Sequence, residues 1–353
     1  MSYFLKSGST FKVTSKESMD LHEKLPAGNY IICKDAFGNL FLEQIDNFTV
    51  PAKMYGDVLR HTERIVNTFI DRTVSTGIML SGEKGSGKTM LVKNVGMTLA
   101  KQGIPTIVIN SPWRGDEFNK LLQDIDQPCM VLFDEFEKVY NRDQQEEILT
   151  LLDGVFGSKK LYALTCNDKW RVDIHMRNRP GRIFYMIDFK GLAIEFIIEY
   201  CNDNLNEKKH IDTICTISSL FSEFNFDMLK ALVEEMNRYN ESPQDALRIL
   251  NAKPEFDGNS NYTVSVIHNG EVIKEENMHP REFKGNPLQS GIEVSFDTKP
   301  DEEHNDWQEV NCSSNDLVSV DAREGRFVFQ DRGTSVVLTR VKEQSYNYYS
   351  KVF

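Results

Sequence analysis

Residues 82–89 read Gly82-Glu83-Lys84-Gly85-Ser86-Gly87-Lys88-Thr89 and satisfy the pattern G-x-x-x-x-G-K-[ST]. The chemistry such a run serves is phosphate binding. Its glycines let the backbone curl so that N–H groups turn inward onto phosphate oxygens. A helix beginning at Lys88 and running on through Met90 adds the partial positive charge of its N-terminus. Lys88 supplies a mobile ammonium for the β- and γ-phosphates, and Thr89 a hydroxyl for Mg2+.

A second run, Cys129-Met130-Val131-Leu132-Phe133-Asp134-Glu135, is apolar until it ends in two carboxylates. A buried strand of this kind delivers both to its tip. Asp134 suits Mg2+, directly or through water, and Glu135 suits the orientation and deprotonation of an attacking water. Leu164-Thr165-Cys166-Asn167 brings a side-chain amide towards the same edge, where it could hold that water or a phosphate oxygen. In Arg177-Asn178-Arg179-Pro180-Gly181-Arg182 two guanidiniums flank a Pro-Gly turn, an arrangement suited to reaching across an interface to a transferring phosphoryl group.

These residues need a scaffold, and the hydrophobic periods provide one. Strands are predicted at 77–81, 106–110, 129–134, 161–166 and 184–188, with helices at 88–102, 116–123 and 144–152. That alternation predicts a parallel sheet covered on both faces, with ligands beyond the carboxyl ends of its strands. An amphipathic helix at 54–72 precedes it, carrying Val58, Ile65, Val66, Phe69 and Ile70 on one face. Tyr55-Gly56, just ahead of this helix, is assigned to the adenine from position alone.

Four domains are expected. Residues 1–50 read as a small β-rich unit, with strands at 29–33 and 40–44 about a turn-rich hexapeptide. Residues 51–190 form the α/β nucleotide-binding domain. Residues 191–254 are helical only, with Leu229, Leu232, Val233 and Met236 at helical spacing and Ser242-Pro243 as a helix start. Residues 255–353 turn to β, with a hairpin at Asn269-Gly270, strands at 291–296, 317–320, 326–329 and 335–340, and a solvated acidic loop at 301–306.

Composition narrows the partners. The 353 residues carry a net charge of −12, and from Glu255 onward 18 Asp/Glu stand against 10 Lys/Arg. A protein that grips nucleic acid normally shows a basic face, so this balance disfavours nucleic acid. No apolar run is long enough to span a bilayer and no secretory pattern opens the chain, which predicts a cytoplasmic protein without a membrane partner. The six cysteines form no C-x-x-C pair and are expected as reduced structural thiols.

Taken together the motifs resemble those of the AAA+ ATPases. Gly77-Ile78-Met79-Leu80-Ser81-Gly82 running into Gly87-Lys88-Thr89 resembles their Walker A segment, Phe133-Asp134-Glu135 their Walker B, and Thr165-Cys166-Asn167-Asp168 their sensor 1. Arg179-Pro180-Gly181-Arg182 is similar to the R-P-G-R of the AAA subgroup. The resemblance covers roughly residues 55–250. It implies a P-loop α/β fold with a C-terminal helical lid, here flanked by β-rich ends, and Phe226-Asp227-Met228-Leu229 opening the helix that faces the nucleotide.

The same resemblance implies ATP and Mg2+ as cofactors, a homo-oligomeric ring of six, and Arg179 and Arg182 as fingers donated between subunits. It also implies mechanical work upon a macromolecule. A protein substrate is expected, engaged through the β-rich ends or through Trp113-Arg114-Gly115, which holds the place of a pore loop but has Arg in its middle position; a turn with Trp113 packed beneath is the equal alternative. The competing functions are a DNA-acting AAA+ motor or loader, which the acidic charge disfavours, and an assembly scaffold with low turnover, against which an intact Glu135, Asn167 and arginine pair stand.

Overall fold

The computed structural model describes residues 2–7, 9–15, 20, 22–153, 159–177, 179–189, 191–218, 224–251, 261–287, 290–300, 306–321 and 324–341. Asn178 and most of the acidic run at 301–306 lie outside them. Residues 1–189 and 190–353 form two compact units.

The first unit begins with a two-stranded hairpin, β1 (Ser2–Ser7) and β2 (Thr10–Ser15), followed by a second, β3 (Asn29–Lys34) and β4 (Leu40–Ile45). Helix α1 (Val58–Asp71) leads to β5 (Thr76–Gly82), α2 (Lys88–Ala100), β6 (Thr106–Ile109), α3 (Gly115–Asp124) and β7 (Cys129–Phe133). The short α4 (Phe136–Val139), α5 (Arg142–Leu152), β8 (Lys160–Cys166), α6 (Ile174–Arg177) and β9 (Tyr185–Phe189) complete it.

Among the described residues the main sheet has seven strands in the order β4-β3-β6-β7-β8-β5-β9. All neighbours run parallel except β3 and β4. β5, β7 and β8 are buried almost throughout, as strands covered on both faces must be, and their alternate side chains divide between two cores. Met79, Val131, Phe133, Tyr162 and Leu164 meet Phe118 and Leu122 of α3 and Ile148 and Leu151 of α5. Ile78, Leu80, Met130, Leu132, Leu161 and Ala163 meet Ile65 and Phe69 of α1 and Leu91, Val95 and Leu99 of α2. The result is a three-layer α/β fold with a P-loop-type parallel sheet. Its carboxyl edge lies where β5, β7 and β8 end, at residues 82, 133 and 166.

One expectation needs correction. β3 and β4, read from the sequence as part of a separate N-terminal unit, extend the main sheet: β3 pairs in parallel with β6 through Asn29↔Thr106, Tyr30↔Ile107 and Ile31↔Val108. The reason is apolar burial. Tyr30 and Ile32 are inside, and Ile32 joins the same core as Phe133.

The second unit contains α7 (Ile194–Asn204), α8 (Ile211–Ser218), α9 (Phe226–Tyr239) and α10 (Pro243–Ile249). Asn225 caps α9 by accepting the Met228 N–H at 2.9 Å, and Ser242 caps α10 ahead of Pro243. Its β portion comprises β10 (Asn261–His268), β11 (Glu271–Val272), β12 (Met278–His279), β13 (Glu282–Lys284), β14 (Ile292–Asp297), β15 (Trp307–Cys312), β16 (Leu317–Asp321), β17 (Arg326–Asp331) and β18 (Thr334–Arg340). These strands pair antiparallel in two sheets that share one apolar core, with Val266, Val294, Phe296, Phe329 and Leu338 at its centre. The turn predicted at Asn269-Gly270 is present, both residues in left-handed conformation. No described helix is long and apolar enough to cross a membrane.

Candidate active site

The glycine-rich loop runs from the end of β5 into α2. Gly85 and Gly87 adopt φ of +79° and +102°, which a residue with a Cβ rarely takes. Gly82 answers a second demand, close approach: a Cβ there would lie 2.2 Å from the Phe189 carbonyl oxygen on the neighbouring β9. Glu83 and Lys84 are exposed on the crest of the loop, and Ser86 is half-buried.

Lys88, in the first turn of α2, is only 6% exposed. Its ammonium turns back into the loop and donates to the Gly82 carbonyl at 2.5 Å, the Glu83 carbonyl at 2.7 Å and Asn167 Oδ1 at 3.2 Å. Burial lowers its pKa, opposed by the negative groups around it, Glu137, Asp134 and Glu135 among them. A cation is thus held in a cradle of carbonyls, at a helix N-terminus, where an anion would complete its surroundings. Thr89 is exposed and Met90 half-buried on the same turn.

β7 ends at Phe133, and the chain turns sharply: Glu135 is left-handed, with φ 49° and ψ 46°, as it starts α4. Thr165, near the end of β8 and buried, fixes that turn from across the strand gap. Its hydroxyl donates to Asp134 Oδ1 at 2.6 Å and accepts the Glu135 N–H at 2.9 Å. Asn167 stands one residue past β8. Its Oδ1 faces Lys88, and its Nδ2 donates to Glu135 Oε1 at 3.5 Å. Lys88, Asn167 and Glu135 therefore form a continuous polar path across the sheet edge, with Asp134 tied into it by Thr165.

Glu135 has another partner. Lys138, one turn along α4, donates to Glu135 Oε1 at 2.6 Å, and this bond holds the carboxyl below the ordinary glutamate value. The Cys166 thiol beside Lys88 is pushed up to about 12 by burial and stays neutral. Among the described residues no cluster of three His, Cys, Asp or Glu could hold a metal alone, so an ion here would rely on Asp134, Thr89 and its own ligand.

The arginines divide. The 179–182 turn closes through the Arg182 N–H to the Arg179 carbonyl at 2.8 Å. Arg179 is exposed, as a group reaching outward must be. Arg182 is not. It is 9% exposed, and its guanidinium is bound in bidentate fashion to Asp153, through Nη2 at 2.7 Å and through Nε, with Nη1 on the His175 carbonyl at 3.0 Å. The expectation that both guanidiniums are free to reach outward fails for Arg182, because Asp153 at the end of α5 neutralises it within the subunit.

Two equal readings stand for Trp113-Arg114-Gly115, a pore loop and a packed turn. The Trp113 ring packs against the core beneath α3, its Nε1 has no hydrogen-bond partner among the described residues, and Tyr140 Oη donates to its carbonyl at 2.8 Å. Arg114 pairs with Glu147 at 3.6 Å. The packed-turn alternative describes this segment. Tyr55 and Gly56 lie in the turn before α1, with the Lys53 ammonium 4.9 Å from the Tyr55 ring centroid. α1 in turn packs on α2, where Asn94 Nδ2 donates to Thr62 Oγ1 at 2.9 Å.

Residues 78–190 match the model of the family described as "ATPase family associated with various cellular activities (AAA)". The chain carries an AAA ATPase domain. All of the polar path from Lys88 to Glu135, and the arginine turn, fall inside that match. Solved structures similar to the chain include two single-substitution forms of RuvB from Thermotoga maritima. They are 12% and 13% identical to it at a TM-score of 0.41, over 57% of this chain and 72% of RuvB. No curated protein matches the sequence.

Several residues that contact the candidate site residues were not singled out from the sequence. Thr165 carried a signal, being a hydroxyl in the mostly apolar buried run that leads to Asn167. Asp153, Glu137 and Lys138 carried none that separates them from ordinary charged helix residues.

Proposed function

We propose that this chain is a Mg2+-dependent ATP hydrolase that works as a ring-forming homo-oligomer, of six subunits in its family's usual manner, and remodels, disassembles or moves a protein substrate. The observation that carries the hydrolytic part is the path Lys88–Asn167–Glu135, with Asp134 fixed beside it by Thr165. The buried Lys88 ammonium, in the first turn of α2 behind the glycine-rich loop, fits a polyphosphate, and Asp134 with the exposed Thr89 fits a Mg2+ bound to it.

Residues 82–90 hold the phosphates, with Lys88 as the charge and the loop N–H groups as donors. Mg2+, when bound, draws charge from the phosphate oxygens, and Thr89 and Asp134 hold it. Glu135 takes the proton of the attacking water, Asn167 keeps Glu135 and Lys88 in register, and Arg179 reaches a neighbouring subunit's nucleotide. The adenine is assigned to Tyr55-Gly56. The protein-substrate reading is supported by the net charge of −12 and by the β-rich end, whose fold offers exposed strands such as β15.

The test has two arms. Glu135→Gln is expected to bind ATP normally and to hydrolyse at under roughly 1% of the wild-type rate, since general-base removal costs 10²–10⁴-fold. Size measurement of this variant with and without ATP then reads ring assembly. Wild-type turnover in the variant removes Glu135 as the base. In the second arm, wild-type ATPase is measured with an unfolded polypeptide or with DNA. Stimulation by polypeptide is expected; salt-sensitive stimulation by DNA alone would replace the protein reading with the DNA one.

The Glu135–Lys138 pair adds a pH prediction. The ion pair depresses the Glu135 pKa, so in wild type the carboxylate stays ionised to lower pH. Lys138→Met is expected to move the acidic limb of the kcat profile to higher pH, as the carboxyl returns towards its ordinary value. An acidic limb that stays in place would show that Glu135 does not limit turnover.

A further inference from the structure

One buried carboxylate has no task in this scheme. Glu137 lies in α4 two residues beyond Glu135 and is 5% exposed. Its Oε1 accepts the backbone N–H of Asn167 at 3.0 Å, while its Oε2 is buried without a hydrogen-bond partner among the described residues. Burying a carboxylate to satisfy one amide is expensive, and apolar packing serves stability alone at lower cost. A half-satisfied buried acid calls for an explanation at a site where geometry matters more than stability.

What Glu137 touches supplies that explanation. Asn167 is the residue whose amide meets Lys88 on one side and Glu135 on the other. It stands just past the end of β8, so the sheet ladder no longer fixes its backbone. The contact is one half of a reciprocal arrangement. Thr165 on β8 fixes the turn of Asp134 and Glu135 after β7, and Glu137 after β7 fixes Asn167 after β8. Each strand tip is aligned by a side chain from the other.

We infer that Glu137 is a positioning residue for hydrolysis: its carboxylate oxygen anchors the Asn167 backbone so that the amide bridges Lys88 and Glu135. The inference rests on the roles proposed above for Asn167 and Glu135. The acceptor oxygen matters to it, and the negative charge does not.

The test uses the full chain with Glu137→Gln, Glu137→Leu, Asn167→Ala and the Glu137→Leu/Asn167→Ala double variant, measuring kcat and KM for ATP alongside thermal stability. Glutamine keeps an acceptor oxygen and should recover kcat to within about threefold of wild type. Leucine should lower kcat about tenfold or more with KM changed less than about twofold, the signature of lost transition-state alignment. In the Asn167→Ala background the same leucine substitution should cost less than about twofold, because its effect passes through a residue already removed.

Glutamine proving as harmful as leucine overturns the inference, and so does a leucine effect undiminished without Asn167. Glu137→Asp keeps the charge but shortens the reach, and is expected to behave as leucine does, which answers the question if the leucine variant does not fold. Asn167→Ala at wild-type kcat overturns the inference together with Asn167's role but leaves the ATPase reading to the Glu135→Gln result. A wild-type chain that binds ATP without turnover overturns the proposed function itself.

Discussion

Lys88→Ala is expected to weaken nucleotide binding by about 10²-fold or more, and to lower turnover with it. The ammonium faces the carboxylates of Glu137, Asp134 and Glu135, and its own surroundings suit an added anion. It is buried, held by the Gly82 and Glu83 carbonyls at 2.5 and 2.7 Å, and its pKa is lowered by that burial. When phosphate enters, its oxygens can replace carbonyl dipoles with full charges, and the lysine's desolvation has already been met in folding. Without Lys88 the effect reverses. Asp134, Glu135 and Glu137 then face an incoming polyanion with less compensation, and Asn167 loses the partner of its Oδ1. A charge-assisted hydrogen bond contributes about 1.5–3 kcal/mol, and added repulsion brings the expected loss in affinity to about 10²-fold or more. Equilibrium titration with ATP checks this, with thermal unfolding as the control for fold. Affinity within a factor of about two of wild type would sink the assignment of residues 82–89.

The parts of this site that the sequence shows and those it hides differ for physical reasons. The 82–89 loop, the Asp134-Glu135 tip and Asn167 were legible because their chemistry demands residue types at fixed separation along one chain. The two-sided core was legible for a similar reason: continuous apolar runs such as 129–133 suit strands buried on both faces. Pairing across the chain was not. Nothing in Asn29-Tyr30-Ile31-Ile32 tells an edge hairpin of the main sheet from a hairpin of a separate unit, since both bury one face, and the parallel register with β6 is set by a segment some 75 residues away. β15 was missed because Trp307-Gln308-Glu309-Val310-Asn311-Cys312 shows only two buried positions and borders an acidic run. Glu137 and Asp153 show the same limit at the site: a helix carboxylate becomes a positioning or clamping group only through what folds against it.

That limit is sharpest for the two arginines, where one motif contains two environments. Arg179→Ala is expected to lower kcat roughly 10³-fold or more with ATP affinity retained, the scale on which an arginine finger acts. Fold should be unaffected, because the exposed Arg179 side chain can be truncated without leaving a buried partner unpaired. Arg182→Ala is expected to act first on stability. It strips Asp153 of a bidentate partner and the His175 carbonyl of a donor, and it loosens the turn that presents Arg179. The pH dependence separates these mechanisms. Asp153 has its pKa lowered by the bond to Arg182, so the clamp stabilises the fold above the ordinary carboxylate pKa and that contribution is lost as pH falls through the lowered value. The stability gap between wild type and Arg182→Ala should therefore be open at neutral pH and close in acid, whereas Arg179→Ala should show no such gap. Mixing decides whether Arg179 acts on a neighbour. Doping Arg179→Ala subunits into wild type should depress specific activity per wild-type subunit, because some intact sites would then face a neighbour without its arginine. Activity that falls only in proportion to the wild-type fraction would place each arginine's action within its own subunit, and a turnover defect confined to Arg182→Ala would transfer the finger to the residue that Asp153 now holds.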